Sequence, residues 1–200
     1  MNNLTENGSA FWSIKDAEIL QLITIGINPV KFVDFSMVKP LDKITEENFW
    51  DFCFMSGRPM RFSGKISIPF LPPGFEWNLF QNVGLLASPE IADTFRELAG
   101  HQVQLFPVAY QDAPDRFYYI NMVQIFDCVD FERSEATYND DGKPDSIQEM
   151  VLRDNAIDPN AVIFTTTFLT GTVIIRDSLR KELLKRHEIK GSKFVPLQAF

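Results

Sequence analysis

Few side chains in this sequence could carry out covalent chemistry. The chain has two histidines, His101 and His187, and two cysteines, Cys53 and Cys128. Each histidine lies at or just past the end of a predicted helix, where a cation stabilises the negative end of the helix dipole for structural reasons alone. Cys128 lies on an apolar predicted strand and is interpreted as a small buried residue rather than as a thiolate paired with a histidine. The sequence therefore predicts no catalytic residues and no enzyme.

Carboxylates are more numerous, but their spacing does not fit a reactive or metal-binding site. Asp127 and Asp130 are three residues apart on a predicted strand, so their side chains point to opposite faces. The oxygen-rich run SEATYNDDGKPD lacks the glutamate that closes a calcium loop. The cysteines lack the CxxC spacing of a zinc site, and there is no Gly-rich phosphate loop, HExxH or GxSxG motif. We expect neither a metal nor another cofactor.

Charge is distributed unevenly along the chain. The net charge is −8, and residues 111–150 alone carry −7, whereas residues 176–193 carry +4. A negative surplus argues against nucleic-acid binding, because phosphate contacts require an excess of Lys and Arg. Such asymmetry more often serves a partner or a self-contact than the fold. Whether the chain forms a homo-oligomer is left open.

Two segments of similar pattern frame the acidic stretch. LLASPEIADTFRELAGHQVQLFPV spans residues 85–108, and VIIRDSLRKELLKRHEIKGSKFVPL spans residues 173–197. Each predicts a strand, a helix with one apolar stripe, and a second strand. Neither helix can cover its stripe alone, so the two are expected to pack against a shared sheet.

The ends of the two helices carry recognisable signals. Ser88, followed by proline and glutamate, predicts the start of the first helix. Its hydroxyl oxygen is expected to accept a hydrogen bond from a backbone amide that has no partner within the helix. Asp177 or Ser178 is the corresponding cap of the second helix. Gly100 and Gly191 are expected to end the two helices.

The intervening residues complete the predicted fold. YYINMVQIFDCVDF, EMVLRD and AVIFTTTF are typical of strands, and YNDDGKPD is typical of a turn. The predicted class is α+β, with a mostly antiparallel sheet on which two similar strand-helix-strand units pack their helices. We expect a single domain over residues 1–200, in which residues 85–197 form the repeat-containing part.

The first 80 residues have a weaker pattern. KFVDFSMVKPL is typical of a strand, TEENFWDFCFMSG of a helix, and PFLPPGFEW of a proline-broken loop. No run of eighteen apolar residues and no signal-peptide pattern occurs, so we expect a cytoplasmic protein without a membrane partner.

The second half of the chain resembles a known family. Its aliphatic pair before the last helix, its terminal F-x-P-L preceded by glycine, and its Cys-x-Asp-x-x-x-Ser phrase are similar to those of bacterial immunity proteins from polymorphic toxin systems. That family is the eleventh in the immunity catalogue and was formerly a domain of unknown function. The matching residues are Ile174, Ile175, Leu179, Gly191, Phe194, Pro196, Leu197, Cys128, Asp130 and Ser134. Arg176 departs from the pattern, which has serine at the start of the final helix.

The resemblance implies a non-enzymatic protein that neutralises a cognate toxin by stoichiometric contact. Opposite charge speeds such association, and an aromatic side chain can anchor it. We therefore expect the acidic loops to face the toxin, through Asp112, Asp115, Tyr138, Asp140, Asp141 and Asp145. The alternative is an enzyme or small-molecule-binding protein that uses a cleft between the two repeat units.

Overall fold

The computed structural model describes residues 9–16, 66–68, 76–82, 84–110, 113–169 and 172–200. Cys53 and the elements predicted from KFVDFSMVKPL and TEENFWDFCFMSG lie outside the described residues, as does most of the loop predicted from PFLPPGFEW.

Strands predominate in the described part of the chain, with two α-helices among them. The strands are β1 (Phe11–Asp16), β2 (Ile66–Ile68), β3 (Leu79–Asn82), β4 (Gly84–Ala87), β5 (Val103–Tyr110), β6 (Ala113–Met122), β7 (Ile125–Phe126), β8 (Glu135–Tyr138), β9 (Pro144–Glu149), β10 (Val151–Leu152), β11 (Ile163–Thr166), β12 (Val173–Arg176) and β13 (Ser192–Ala199). The helices are α1 (Pro89–Ala99) and α2 (Asp177–Arg186). Short 3-10 turns occur at Gly100–Gln102 and Asp154–Ala156.

The strands form two large sheets and a separate hairpin. The six-stranded sheet has the order β10-β13-β1-β12-β11-β7, the five-stranded sheet has the order β2-β5-β6-β4-β3, and β8 pairs only with β9 among the described strands. The pairs β10/β13, β11/β7 and β2/β5 are parallel, and the other pairs are antiparallel. The predicted mixed α+β class with mostly antiparallel strands is therefore confirmed.

The expectation of one shared sheet is wrong. β4 and β5 lie on either side of β6 in the five-stranded sheet, whereas β12 and β13 lie on either side of β1 in the six-stranded sheet. The central strand is antiparallel to both neighbours in each case. One reason is visible in β12, where Val173, Ile174 and Ile175 are all buried. A continuous apolar run needs cover on both faces of its sheet, which a single helix layer cannot provide.

One apolar core joins the two sheets and both helices. Its members include Trp12 of β1 and Ile175 of β12 on one side, and Ile120 of β6 on the other. Phe95 of α1 and Leu183 of α2 belong to the same cluster, and neither is exposed to solvent. The helices therefore cover a core that the two sheets share.

A smaller cluster covers the opposite face of the six-stranded sheet. Ile174 faces this cluster, whereas its strand neighbours face the main core. Cys128, Leu152 and Ile157 supply its cover from the stretch between β7 and β11. The acidic stretch is thus anchored to the sheet through its apolar residues.

Polar contacts also hold the two sheets together. The buried side chain of Gln102 donates from Nε2 to the Asn160 carbonyl at 2.9 Å and accepts at Oε1 from the Val162 amide at 2.8 Å. At another point of contact, the Lys190 amide donates to Oδ1 of Asn78 at 2.8 Å. Buried amide groups satisfied across an interface fix its register, because an unpaired polar group there would be costly.

The two helices are linked directly. His187, which lies just past α2, places its Nε2 2.7 Å from Oγ1 of Thr94 on α1. Arg186 donates two hydrogen bonds to the Glu97 carboxylate, at 2.7 and 3.1 Å. These hydrogen bonds, and then the Arg186 charge, lower the pKa of Glu97. His187 therefore joins two helices, a role that sequence spacing does not reveal.

The helix caps differ in detail from the predicted ones. α1 does begin at Pro89 after Ser88, but the Ser88 side chain does not cap a backbone amide. The Glu90 carboxylate instead accepts hydrogen bonds from its own backbone amide and from the Ser88 hydroxyl. These bonds, the first having the larger effect, lower the pKa of Glu90. Asp177 is the first residue of α2 rather than its cap, and its carboxylate pairs with Arg180. In each case a side chain that was expected to cap the helix bonds another side chain instead.

Gly191 does not end a helix as predicted. α2 ends at Arg186, and Gly191 lies at the start of β13 with φ +98°. A Cβ atom at this position would lie 2.6 Å from the ring of Trp77. Glycine is required here both for its backbone conformation and for the close approach of the indole.

Candidate functional site

The acidic turn predicted from YNDDGKPD is the tip of the β8–β9 hairpin. The Asn139 amide donates to the Lys143 carbonyl at 2.9 Å, and the Gly142 amide donates to the Asn139 carbonyl at 2.9 Å. Gly142 has φ +73°, the left-handed conformation that closes a three-residue hairpin loop. Oδ1 of Asn139 also accepts from the amides of Asp141 and Lys143. Asparagine and glycine thus build the turn, and the aspartates are left on its outside.

The base of the hairpin is clamped by the Cys-x-Asp-x-x-x-Ser phrase. Asp130 accepts hydrogen bonds at Oδ1 from the amides of Glu132 and Arg133. Ser134 Oγ accepts from the Val151 amide at 3.0 Å, across the neck of the hairpin. Cys128 is fully buried below, and burial, followed by the nearby Asp127 charge, raises the pKa of its thiol to about 11. A neutral buried thiol is a packing residue and not a nucleophile.

The hairpin carries a dense negative charge. Residues 135–149 contain five carboxylates and one lysine, a net charge of −4. Within the described part of the chain, none of these carboxylates takes part in an ion pair. Asp140, Asp141 and Asp145 are exposed to solvent. The charge of the hairpin is therefore available to a partner.

The basic C-terminal segment behaves differently. Arg176 donates to the Ala161 carbonyl at 2.7 Å and lies over the ring of Phe11, with 4.7 Å from its guanidinium carbon to the ring centroid. Arg180 pairs with Asp177 and lies 3.9 Å from the ring centroid of Trp12. Carboxylates of the same chain also pair with Lys181, Lys185, Arg186 and Lys190. Six of the seven basic residues between 176 and 193 are thus engaged within the fold.

Aromatic side chains gather where the hairpin leaves the body of the protein. Tyr138 donates from its hydroxyl to the Phe131 carbonyl at 3.4 Å, and the Phe131 ring packs edge-on against Phe168 with centroids 5.1 Å apart. The guanidinium carbon of Arg133 lies 4.8 Å from the centroid of the Phe200 ring. Tyr138 is 51% exposed and Phe200 is 64% exposed. Rings and arginine of this kind are enriched at the centres of protein interfaces.

The predicted site residues are only partly brought together. Tyr138, Asp140, Asp141 and Asp145 all lie on the hairpin. Asp115 belongs to β6 in the five-stranded sheet, and Asp112 lies outside the described residues. Arg133 and Phe200 were not predicted, because their contact joins residues 67 positions apart and leaves no local pattern in the sequence.

A groove of about 560 Å³ separates the hairpin from the six-stranded sheet. Its lining includes Ile147 and Glu149 of β9, Val195 and Leu197 of β13, and Lys15 of β1. The groove is distinct from the junction between the two strand-helix-strand segments, which the main core fills. Among the described residues, no three His, Cys, Asp or Glu side chains are grouped as a metal site would require.

Comparisons with known proteins bear on the role of this surface. The model of the Immunity protein family (Imm11) matches residues 60–199, which cover the hairpin and both helices. A search of curated proteins finds no match. No helix in the described part of the chain has the length and apolar character needed to cross a membrane. With most of its length matched by the family model, the chain belongs to the Imm11 immunity protein family.

Proposed function

We propose that this protein binds a cognate bacterial toxin in the cytoplasm and neutralises it by stoichiometric contact, as part of a polymorphic toxin system. The observation that carries the proposal is the acidic hairpin, whose carboxylates have no ion-pair partners among the described residues. Membership of an immunity family supports a toxin as the partner in general. Buried Cys128 and the helix-bound His187 favour binding over catalysis.

The binding surface in this proposal centres on Tyr138, Asp140, Asp141 and Asp145. They share one hairpin whose neck is fixed by hydrogen bonds, so they are held in place before the partner arrives. Preorganisation of this kind reduces the entropy lost on binding. Asp112 and Asp115 remain part of the proposed surface; Asp115 belongs to β6, and Asp112 lies outside the described residues.

The two strand-helix-strand segments act as similar halves of an inert scaffold in this proposal. In each, two strands run parallel on either side of an antiparallel strand, and a helix connects them over the common core. The junction between them is packed with apolar side chains, so we do not place a ligand cleft there. The scaffold serves to hold the hairpin clear of the sheets.

Titration against the cognate toxin domain, which we expect the neighbouring reading frame to encode, tests the function. Inhibition of the toxin should be complete near one equivalent, because the proposed mechanism is occupation of the toxin. Inhibition at strongly substoichiometric amounts would indicate turnover and would overturn the proposal.

Charge reversal tests the surface. Asp140→Lys with Asp141→Lys brings the hairpin charge from −4 to zero, and we expect the association rate at low salt to fall by about tenfold. The difference should shrink at high salt, because screening weakens steering. Asp93→Lys with Glu188→Lys is the matched control, since it makes the same change in net charge near the helices and should leave the association rate close to that of the wild type. Equal association rates for both double variants would remove the hairpin from the interface.

A further inference from the structure

Exposed apolar side chains converge on one turn. In the part of the chain that the structure describes, the large apolar side chains exposed to solvent are Tyr138, Leu184 and Phe200. Two of the three contact the turn at residues 131–133, whereas Leu184 lies on α2. Single exposed apolar residues are ordinary, but a group on one turn is typical of an interaction surface. We call Phe131, Arg133, Tyr138 and Phe200 the aromatic platform.

The aromatic platform is held rigidly. Asp130 accepts from two backbone amides of the turn and pairs with Arg133, at 3.5 Å from Nη1 to Oδ2. Phe131 is fixed from below by its edge-on contact with Phe168. The Tyr138 hydroxyl is tied to the Phe131 carbonyl, so the phenol ring is restrained as well. Rings that are already immobile lose little conformational freedom on binding.

The two exposed rings differ in whether a cation lies over them. The guanidinium of Arg133 already lies over Phe200. Among the described residues no cation lies over Tyr138, although half of this side chain is open to solvent. Tyr138 is also two residues from Asp140 on the same hairpin, and the hairpin carboxylates have no ion-pair partners in the described part. An open ring among unpaired carboxylates attracts a cation through its negative face and through the surrounding charge.

We propose that the aromatic platform receives an arginine or lysine side chain of the toxin, which stacks on the open face of Tyr138 while its basic neighbours pair with the hairpin carboxylates. The inference rests on the proposed function and specifies the chemistry of the partner as a basic protein surface. The Arg133–Phe200 pair is an example of the same cation–ring geometry within the platform. The ring fixes the position of the cation, and the carboxylates speed its approach.

Two substitutions at Tyr138 separate ring chemistry from apolar area. Tyr138→Phe keeps the π face and loses only the hydroxyl, so its dissociation constant should stay within about twofold of the wild-type value. Tyr138→Leu keeps apolar area but has no π face, and its dissociation constant should rise by about five- to thirtyfold, mainly through faster dissociation. Leu184→Ala is the control for losing an exposed apolar side chain and should bind as the wild type does. The measurement is surface plasmon resonance against the toxin domain, with thermal melts confirming that each variant is folded.

The outcomes distinguish this inference from the proposed function. If Tyr138→Leu binds as tightly as the wild type, or if Tyr138→Phe is weakened as much as Tyr138→Leu, the cation–ring contact is overturned while stoichiometric inhibition stands. If the wild type itself does not inhibit the toxin near one equivalent, the proposed function fails first.

Discussion

The acidic hairpin and the basic helix α2 are the two strongly charged regions of the described chain, and they use their charges in opposite ways. The basic side chains of α2 and its flanks bind carboxylates, carbonyls and rings of the same molecule. The carboxylates of residues 135–149 form no ion pair with described residues. Net charge alone does not distinguish the two regions, but the contacts do: one set of charges is paired within the fold, and the other forms no ion pair with described residues.

Burial differs between the two regions in the same sense. α2 inserts Leu179 and Leu183 into the core common to both sheets. The hairpin strands have only exposed and half-buried residues. A two-stranded ribbon has little stability of its own, so the hairpin depends on its clamped neck. We therefore expect substitutions in α2 to change the free energy of unfolding, and substitutions in the hairpin to change the binding of a partner.

Truncating one apolar side chain in each region should give the largest difference in the free energy of unfolding. Leu183→Ala removes a fully buried side chain from the main core and should lower the free energy of unfolding by about 2–5 kcal/mol. Ile147→Ala in half-buried β9 should cost less than about 1 kcal/mol. Denaturant unfolding followed by circular dichroism measures both. Similar costs for the two variants would break the comparison.

Two glycines with positive φ sharpen the comparison further. Gly100, past α1, and Gly142, in the hairpin turn, both have positive φ and open space around them. Gly100 has φ +53° and ψ −124°, a region that alanine rarely adopts, so alanine there should lower the free energy of global unfolding by about 1–3 kcal/mol. The same change at Gly142 should lower it less, because the hairpin can open locally without unfolding the core.

Hydrogen exchange locates the effect of each glycine variant. In Gly142→Ala, faster exchange should be confined to amides of β8 and β9, whereas in Gly100→Ala it should extend to the core strands. Faster exchange of core amides in Gly142→Ala would show that the hairpin is part of the cooperative unit.

Acid titration gives the smallest expected effect. Partial burial of Asp177 raises its pKa, but hydrogen bonds and charges from Lys181 and Arg180 together outweigh it, and the pKa is lowered. A lowered pKa in the folded state contributes stability above the ordinary value, and this contribution is lost as pH falls through the folded value. Asp177→Asn should therefore melt at a lower temperature than the wild type near neutral pH, and the difference should shrink as pH falls below about 4 and vanish once pH is below the lowered folded value.

A hairpin aspartate provides the control for this titration. Asp145→Asn removes a carboxylate that has no ion pair with described residues, and the melting temperature should change little at any pH. If Asp145→Asn lowered the melting temperature as much as Asp177→Asn, and with the same pH dependence, the distinction between the paired charges of α2 and the hairpin carboxylates would be contradicted.

Local chemistry made part of this structure predictable from the sequence. Pro89 at the start of α1, the AVIFTTTF strand and the Asn-Asp-Asp-Gly turn follow from backbone preferences of a few adjacent residues. The immunity family was identified from degenerate positions in the second half of the chain and is confirmed by the family model. The hairpin placement of Tyr138, Asp140, Asp141 and Asp145 follows the predicted turn.

Long-range pairing was not predictable in the same way. The division into two sheets depends on β1 entering between β12 and β13, and nothing in a local pattern encodes that register. The Trp77 ring that requires Gly191, and the Thr94 hydroxyl that meets His187, come from distant parts of the chain. Asp115 was expected in an acidic loop but belongs to β6, which pairs with β5 across the five-stranded sheet.

The strand β1 has a consequence for how the molecule is made. Phe11 pairs with Leu197, so the middle of the six-stranded sheet joins residues from nearly opposite ends of the described chain. Contacts of such sequence separation form slowly and only when both partners have been synthesised. The sheet that supports the hairpin neck is therefore completed only after β13 has been synthesised, and a product truncated before β13 should not form it.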